Sequence, residues 1–217
     1  MPTTDRVLVV CALPEEARPL RRRLGDLAEV RIHITGMGGA RAVAGLQAAW
    51  RATPADLVIT AGLAGGLAPT WPHGAVLYAV SAGCPIEPAL RAAGASPARF
   101  HCADRMVITA ADKQRLHALT GADAVEMESG AIQAACLERG VPCATVRAIS
   151  DTAAEDLPLD FNRFQTKDGN PDLVRLLAAV ARAPRLAAAL LALRRRARAA
   201  AANLATVLGR AMSDRPG

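Results

Sequence analysis

Short apolar runs alternate with helical patterns over most of the chain. Val7 to Ala12 is apolar without a break, as in a strand covered on both faces. Pro14 then opens a helix whose first turn holds Glu15 and Glu16, where the helix dipole favours acids. A second strand, about Val30 to Thr35, runs into Gly36, Gly38 and Gly39 and an Ala-rich helix reaching about Arg51. Leu57 to Ala61 predicts a third strand, ending in a glycine loop from Gly62 to Gly66. Further strands are expected at Ala75 to Val80, Met106 to Thr109 and Ala144 to Ile149, and helices at Ala111 to Leu119 and Ser129 to Arg139. Residues 82–99, with Pro85, Pro88 and Pro97, read as an irregular connection. Strands alternating with helices imply an α/β fold with a parallel or mixed sheet.

The pattern changes near the C-terminus. Leu186, Leu190, Leu193, Ala197, Leu204 and Leu208 fall on one stripe of a helical wheel, and Arg185, Arg194, Arg195, Arg196, Arg198 and Arg210 fall away from it. This predicts an amphipathic basic helix of roughly six turns. The chain is therefore divided into a body, 1–170, and a basic helical tail, 171–217.

Composition narrows the function classes. With 52% hydrophobic residues the chain can bury a core, while 3% aromatics argue against base stacking on single-stranded nucleic acid. The net charge of +6 is uneven: residues 171–217 carry nine Arg against two Asp, leaving the body close to neutral. A nucleic-acid partner is not expected. Cys11, Cys84, Cys102, Cys136 and Cys143 form no C-x-x-C pair, so neither a zinc site nor a disulfide framework is expected, and the compartment is taken as reducing and cytoplasmic. There is no signal-like N-terminal segment and no apolar window long enough to span a bilayer.

Four features stand at strand ends, where open α/β sheets place ligands. They are Glu15-Glu16, Gly62 to Gly66, Val125-Glu126-Met127-Glu128-Ser129, and Arg147-Ala148-Ile149-Ser150-Asp151-Thr152. Singly, each has a plain structural explanation: acids at helix starts, an N-cap Asp, a glycine turn. The glycines lack the Lys-Ser/Thr of a P-loop and the third Gly of a dinucleotide fingerprint.

In this order the motifs resemble the nucleoside phosphorylases and nucleosidases, most closely methylthioadenosine/S-adenosylhomocysteine nucleosidase. The likeness is carried by Ala12 to Glu16, Thr35-Gly36-Met37-Gly38, Gly62 to Leu67, Val125 to Glu128 and Arg147 to Asp151. It implies a three-layer α/β/α fold with a mixed central sheet and cleavage of a purine N-glycosidic bond. Asp151 would be the general acid at the base, and Glu16 would position the attacking water. A partly apolar strand end would keep Asp151 protonated. Glu128 would hold the ribose hydroxyls and Met127 would pack on sugar and base. Ala64, Gly65 and Ser150 would complete the pocket, with Met106 and Val107 at the base. Met106 takes the place of an aromatic that stacks on the base in that family. Leu63 stands where related phosphorylases carry a phosphate-holding hydroxyl, and Arg18 and Arg41 are the arginines left to hold phosphate. No cofactor is implied beyond inorganic phosphate as a co-substrate, and a homodimer is expected.

A compact body followed by a basic, Leu-rich tail resembles the hopanoid-associated phosphorylases. This implies release of adenine from adenosylhopane, with the tail lying on a membrane as a peripheral contact. Methylthioadenosine or adenosylhomocysteine is the alternative substrate. The alternative of another class is a non-catalytic membrane- or partner-binding module on a relic fold.

Overall fold

The computed structural model describes residues 6–164, 175 and 183–213. Along β1 (Val7–Cys11), Val7, Val9 and Cys11 enter one hydrophobic core, while Leu8 and Val10 enter a second. The strand's two-residue period thus feeds both faces of the sheet. α1 (Pro14–Leu24) follows, then β2 (Val30–Ile34), α2 (Gly39–Ala52), β3 (Leu57–Gly66) and β4 (Val76–Val80). Next come α3 (Glu87–Ala92), β5 (Ser96–Pro97), β6 (Phe100–Cys102), α4 (Ala110–Thr120), β7 (Ala124–Glu126), α5 (Ser129–Glu138) and β8 (Cys143–Asp151). A 3-10 turn at Phe161–Phe164 and the long helix α6 (Pro184–Ser213) complete the described chain.

The sheet order is β2-β1-β3-β8-β4-β5, with β6 and β7 joined at the end of β3. The pairs β1–β2, β1–β3 and β3–β8 are parallel, whereas β8–β4 and β3–β7 are antiparallel. α2 and α5 pack on one face; α1, α3 and α6 cover the other. This is the expected three-layer α/β/α arrangement on a mixed sheet.

Four expectations need correction. Gly62 to Gly66 is not a loop but the second half of β3, bulged between Ala64 and Gly65 where the strand passes from β8 to β7. Met106 to Thr109 is not a strand; Thr109 instead caps α4, its hydroxyl accepting from the Asp112 N–H at 3.1 Å. Residues 82–99 contain α3 and β5 rather than only irregular chain. Finally, the division at residue 170 fails for the end of α6. Ala200, Ala201, Leu204, Ala205, Val207, Leu208, Ala211 and Met212 belong to the same core as β1 and α1. The predicted stripe is real, but its C-terminal half is covered by the body. Leu186, Leu190, Leu193 and Ala197 are half-buried, and the six arginines of α6 point outward. No helix among the described residues is long and apolar enough to cross a membrane.

Candidate active site

The parallel strands β1, β3 and β8 end on one side, and the segments leaving them wall a single cleft. Among its lining residues are Glu16, Ala64, Gly65, Met106, Val107, Met127, Glu128, Ser150 and Asp151. All nine site residues proposed from sequence therefore meet in one place.

Glu16 sits in the first turn of α1, where its Oε2 accepts the Leu13 N–H at 3.0 Å. Its other oxygen accepts the Leu63 N–H of β3 at 2.9 Å. The residue caps its helix and also reaches the sheet. A Cβ at Gly62 would lie 2.7 Å from Glu16 Oε1, so the glycine makes room for the carboxyl group. Burial raises the pKa of Glu16 above the ordinary carboxylate range, against the lowering effect of the Leu63 N–H and the Arg147 charge.

The two acids of the Glu-Met-Glu segment divide the tasks. Glu126 holds the start of α5, accepting from Ser129 N–H at 2.8 Å, Ser129 Oγ at 2.7 Å and Arg147 Nη2 at 2.7 Å. Burial works to raise its pKa, but Arg147 and Ser129 outweigh that and the net shift is downward. Glu128 turns to the cleft instead. Its Oε1 accepts the Gly38 N–H at 2.9 Å, and Arg147 Nη2 lies 3.9 Å from its Oε2. Burial raises its pKa, with Arg147 opposing. Gly38 has φ +87°, a conformation glycine adopts without strain, which aims that N–H at the carboxylate.

Asp151 closes β8, its side chain 10% exposed. Ser150 Oγ lies 2.6 Å from Asp151 Oδ1 and 3.2 Å from the Ala64 carbonyl oxygen, so its one proton serves one of the two. Lys113 Nζ of α4 donates to Asp151 Oδ2 at 2.5 Å. The sequence reading expected an apolar surrounding here, and the fold supplies an ammonium. A Cβ at Gly65 would come within 3.2 Å of Asp151 Oδ2, which accounts for a residue without a side chain at that point.

Met106 is held by Asn162, which accepts from its N–H and donates to its carbonyl oxygen, each at 3.0 Å. With Met37 and Met127 it gives the cleft three thioether side chains, adaptable apolar surfaces where an aromatic was absent. Arg18 is exposed on α1, and Arg41 lies beside the turn at Gly36; neither lines the cleft.

Sequence reasoning missed Lys113 and Arg147. Arg147 is 2% exposed, bonded to Glu126 and to Thr60 Oγ1 at 3.0 Å, and its charge acts on Glu16 and Glu128 as well. A charged residue inside the apolar run of β8 was the available signal. Lys113, on a helix of mixed polarity, gave none. No group of His, Cys, Asp and Glu among the described residues could hold a metal ion.

Comparison with known proteins agrees with this geometry. The Phosphorylase superfamily model matches residues 95–183. A 5'-methylthioadenosine/S-adenosylhomocysteine nucleosidase of Mycobacterium tuberculosis is 46% identical over 52 residues, 24% of this chain and 20% of that protein. An aminodeoxyfutalosine nucleosidase of Campylobacter jejuni is 36% identical over 61 residues, 28% of this chain and 27% of the relative. These matches thus span about a quarter of those relatives or less. The fold likeness extends much further. The nucleosidase of Neisseria meningitidis solved with methylthio-immucillin-A aligns at a TM-score of 0.73 over 96% of this chain and 98% of its own, at 19% identity. That of Helicobacter pylori with butyl-thio-DADMe-Immucillin-A gives 0.73 over 97% and 99%, at 16% identity. The chain carries the fold of the nucleoside phosphorylase/nucleosidase superfamily.

Proposed function

We propose that the protein is an N-glycosidase that releases adenine from a 5'-modified adenosine. The observation that carries this reading is the convergence of Glu16, Glu128 and Asp151 on one cleft at the strand ends, each carboxyl group set by named donors. In the reaction the C1'–N9 bond breaks and its electron pair goes to the base. Asp151 supplies a proton to N7 of the leaving adenine, as general acid. Water adds to C1' as positive charge builds on the ribose, and Glu16 takes the proton it sheds. Glu128 accepts from the ribose hydroxyls, and its charge favours the cationic sugar.

Hydrolysis is favoured over phosphorolysis. Leu63 offers no hydroxyl, the two arginines considered for phosphate lie outside the cleft, and a carboxylate occupies that end of it. Adenosylhopane is the proposed substrate, supported by the outward arginine face of α6 and by apolar cleft residues Leu13, Met37 and Leu157. Methylthioadenosine and adenosylhomocysteine are the alternatives, supported by the named relatives. A contact of the arginine face of α6 with an anionic membrane belongs to the first reading. The test is to incubate the protein with adenosylhopane in vesicles, methylthioadenosine, adenosylhomocysteine and aminodeoxyfutalosine, with and without phosphate, and to follow free adenine and the sugar product. Failure to release adenine from all four would overturn the proposal, and a sugar 1-phosphate would overturn hydrolysis.

A further inference from the structure

Behind Asp151 stands an ammonium with no exposed surface. Lys113 is 0% exposed and makes three bonds: to Asp151 Oδ2 at 2.5 Å, and to the carbonyl oxygens of Thr152 and Glu155 at 2.8 Å each. An ammonium has three N–H donors, so every one is committed. Taking such a charge out of water costs several kcal/mol, more than an apolar side chain of the same length would demand. Two of the three acceptors belong to the turn that follows β8. One cation therefore joins α4, the end of the strand and the turn beyond it.

The far side of that turn is braced too. Glu155 accepts from Thr152 N–H at 2.9 Å, and its carboxylate meets His73 Nε2 and Arg196 Nη1 at 2.7 Å each. The carboxyl group of Glu155 is pulled down to about 2, because the Thr152 and His73 contacts outweigh the opposing effect of burial. The turn thus has bonds besides those of Lys113, and of the three ammonium contacts the one to Asp151 reaches the cleft.

We propose that Lys113 is a positioning residue for the cleavage reaction: its ammonium fixes the Asp151 carboxyl group in the direction of the base. The proposal rests on the reading of Asp151 as the acid. A fixed donor delivers its proton without first reorienting. Glu16, Glu126 and Glu128 line the same cleft, and behind the turn Glu155 meets His73 and Arg196.

The experiment compares native protein with Lys113→Met and Lys113→Gln, measuring thermal stability, kcat and KM with whichever adenosine the native protein cleaves. Both variants should stay folded and lose about 10- to 100-fold in kcat with little change in KM. An unchanged kcat, or a loss carried by KM, would overturn the proposal while leaving adenine release intact. Loss of folding in both variants would make Lys113 a structural residue and overturn it as well. If the native protein releases no adenine, the functional reading itself fails, and this proposal falls with it.

Discussion

At the scale of single residues, three carboxyl groups of one chemistry are set in different surroundings by their neighbours. Asp151→Asn keeps size and hydrogen bonding but removes the proton, so adenine release should fall about 10²- to 10⁴-fold with the fold intact. Near-native turnover in a steady-state assay would take Asp151 out of the mechanism. Glu128→Gln should lose rate on a riboside yet be nearly indifferent to removal of the 2'-hydroxyl, whereas the native protein should discriminate; additive losses would contradict direct contact. Glu16 and Glu128 both have pKa values raised by burial. In the proposed reaction both act ionised, and as pH falls they become protonated before an ordinary glutamate would. The acid limb of kcat/KM should therefore lie above the usual carboxylate range, and a limb within that range would contradict the burial argument. These three acids were legible in the sequence because they occupy strand ends and helix starts in motifs of fixed spacing. Lys113 was not, because its meaning depends on α4 folding back over β8, a contact between residues 38 apart.

At the scale of elements, periodicity located most helices and strands but not what covered them. β1 and β8 could be read because an apolar run inside an α/β chain has few other uses. The two- and three-residue strands β5, β6 and β7 are too short to show a period. The glycine half of β3 was mistaken for a loop because its small residues serve the side chains beside them, Glu16 and Asp151, and not a turn. α6 is the instructive case. Its stripe predicts one apolar face, and that face turns out to complete the core shared by α1, α3 and the sheet. Leu204 is 0% exposed, so Leu204→Ala should cost about 2–5 kcal/mol, against much less for Leu190→Ala on the half-buried stretch. Urea unfolding of the two variants measures the contrast; equal small losses would mean that the C-terminal half of the helix is not docked in solution. For the same reason, removing residues 184–217 would uncover the core and not simply detach a tail.

At the scale of the whole molecule, the packing of α6 changes how a membrane contact would work. Leucines that fill the core are not available to sink among lipid tails, so insertion along the whole stripe would require the helix to leave the body. What remains outward is charge: Arg185, Arg194, Arg195, Arg196 and Arg198 are exposed within 14 residues, with Arg196 engaged by Glu155. Such a face should rest on anionic headgroups by electrostatic attraction, on the order of 1 kcal/mol per arginine. The attraction is screened within roughly 10 Å at 0.1 M salt. The protein should sediment with phosphatidylglycerol vesicles at low ionic strength and return to the supernatant at high. Reversing Arg194, Arg195 and Arg198 to Glu should weaken that partition by at least about 10²-fold, since three contributions of about 1 kcal/mol are lost. Those residues touch neither cleft nor core, so cleavage of a soluble adenosine should be unchanged in the same variant. Binding that survives high salt would instead indicate leucine insertion and an undocked α6. Absence of binding at low salt would remove the membrane from the account, leaving the arginine face as solvated surface on an otherwise intact nucleosidase fold.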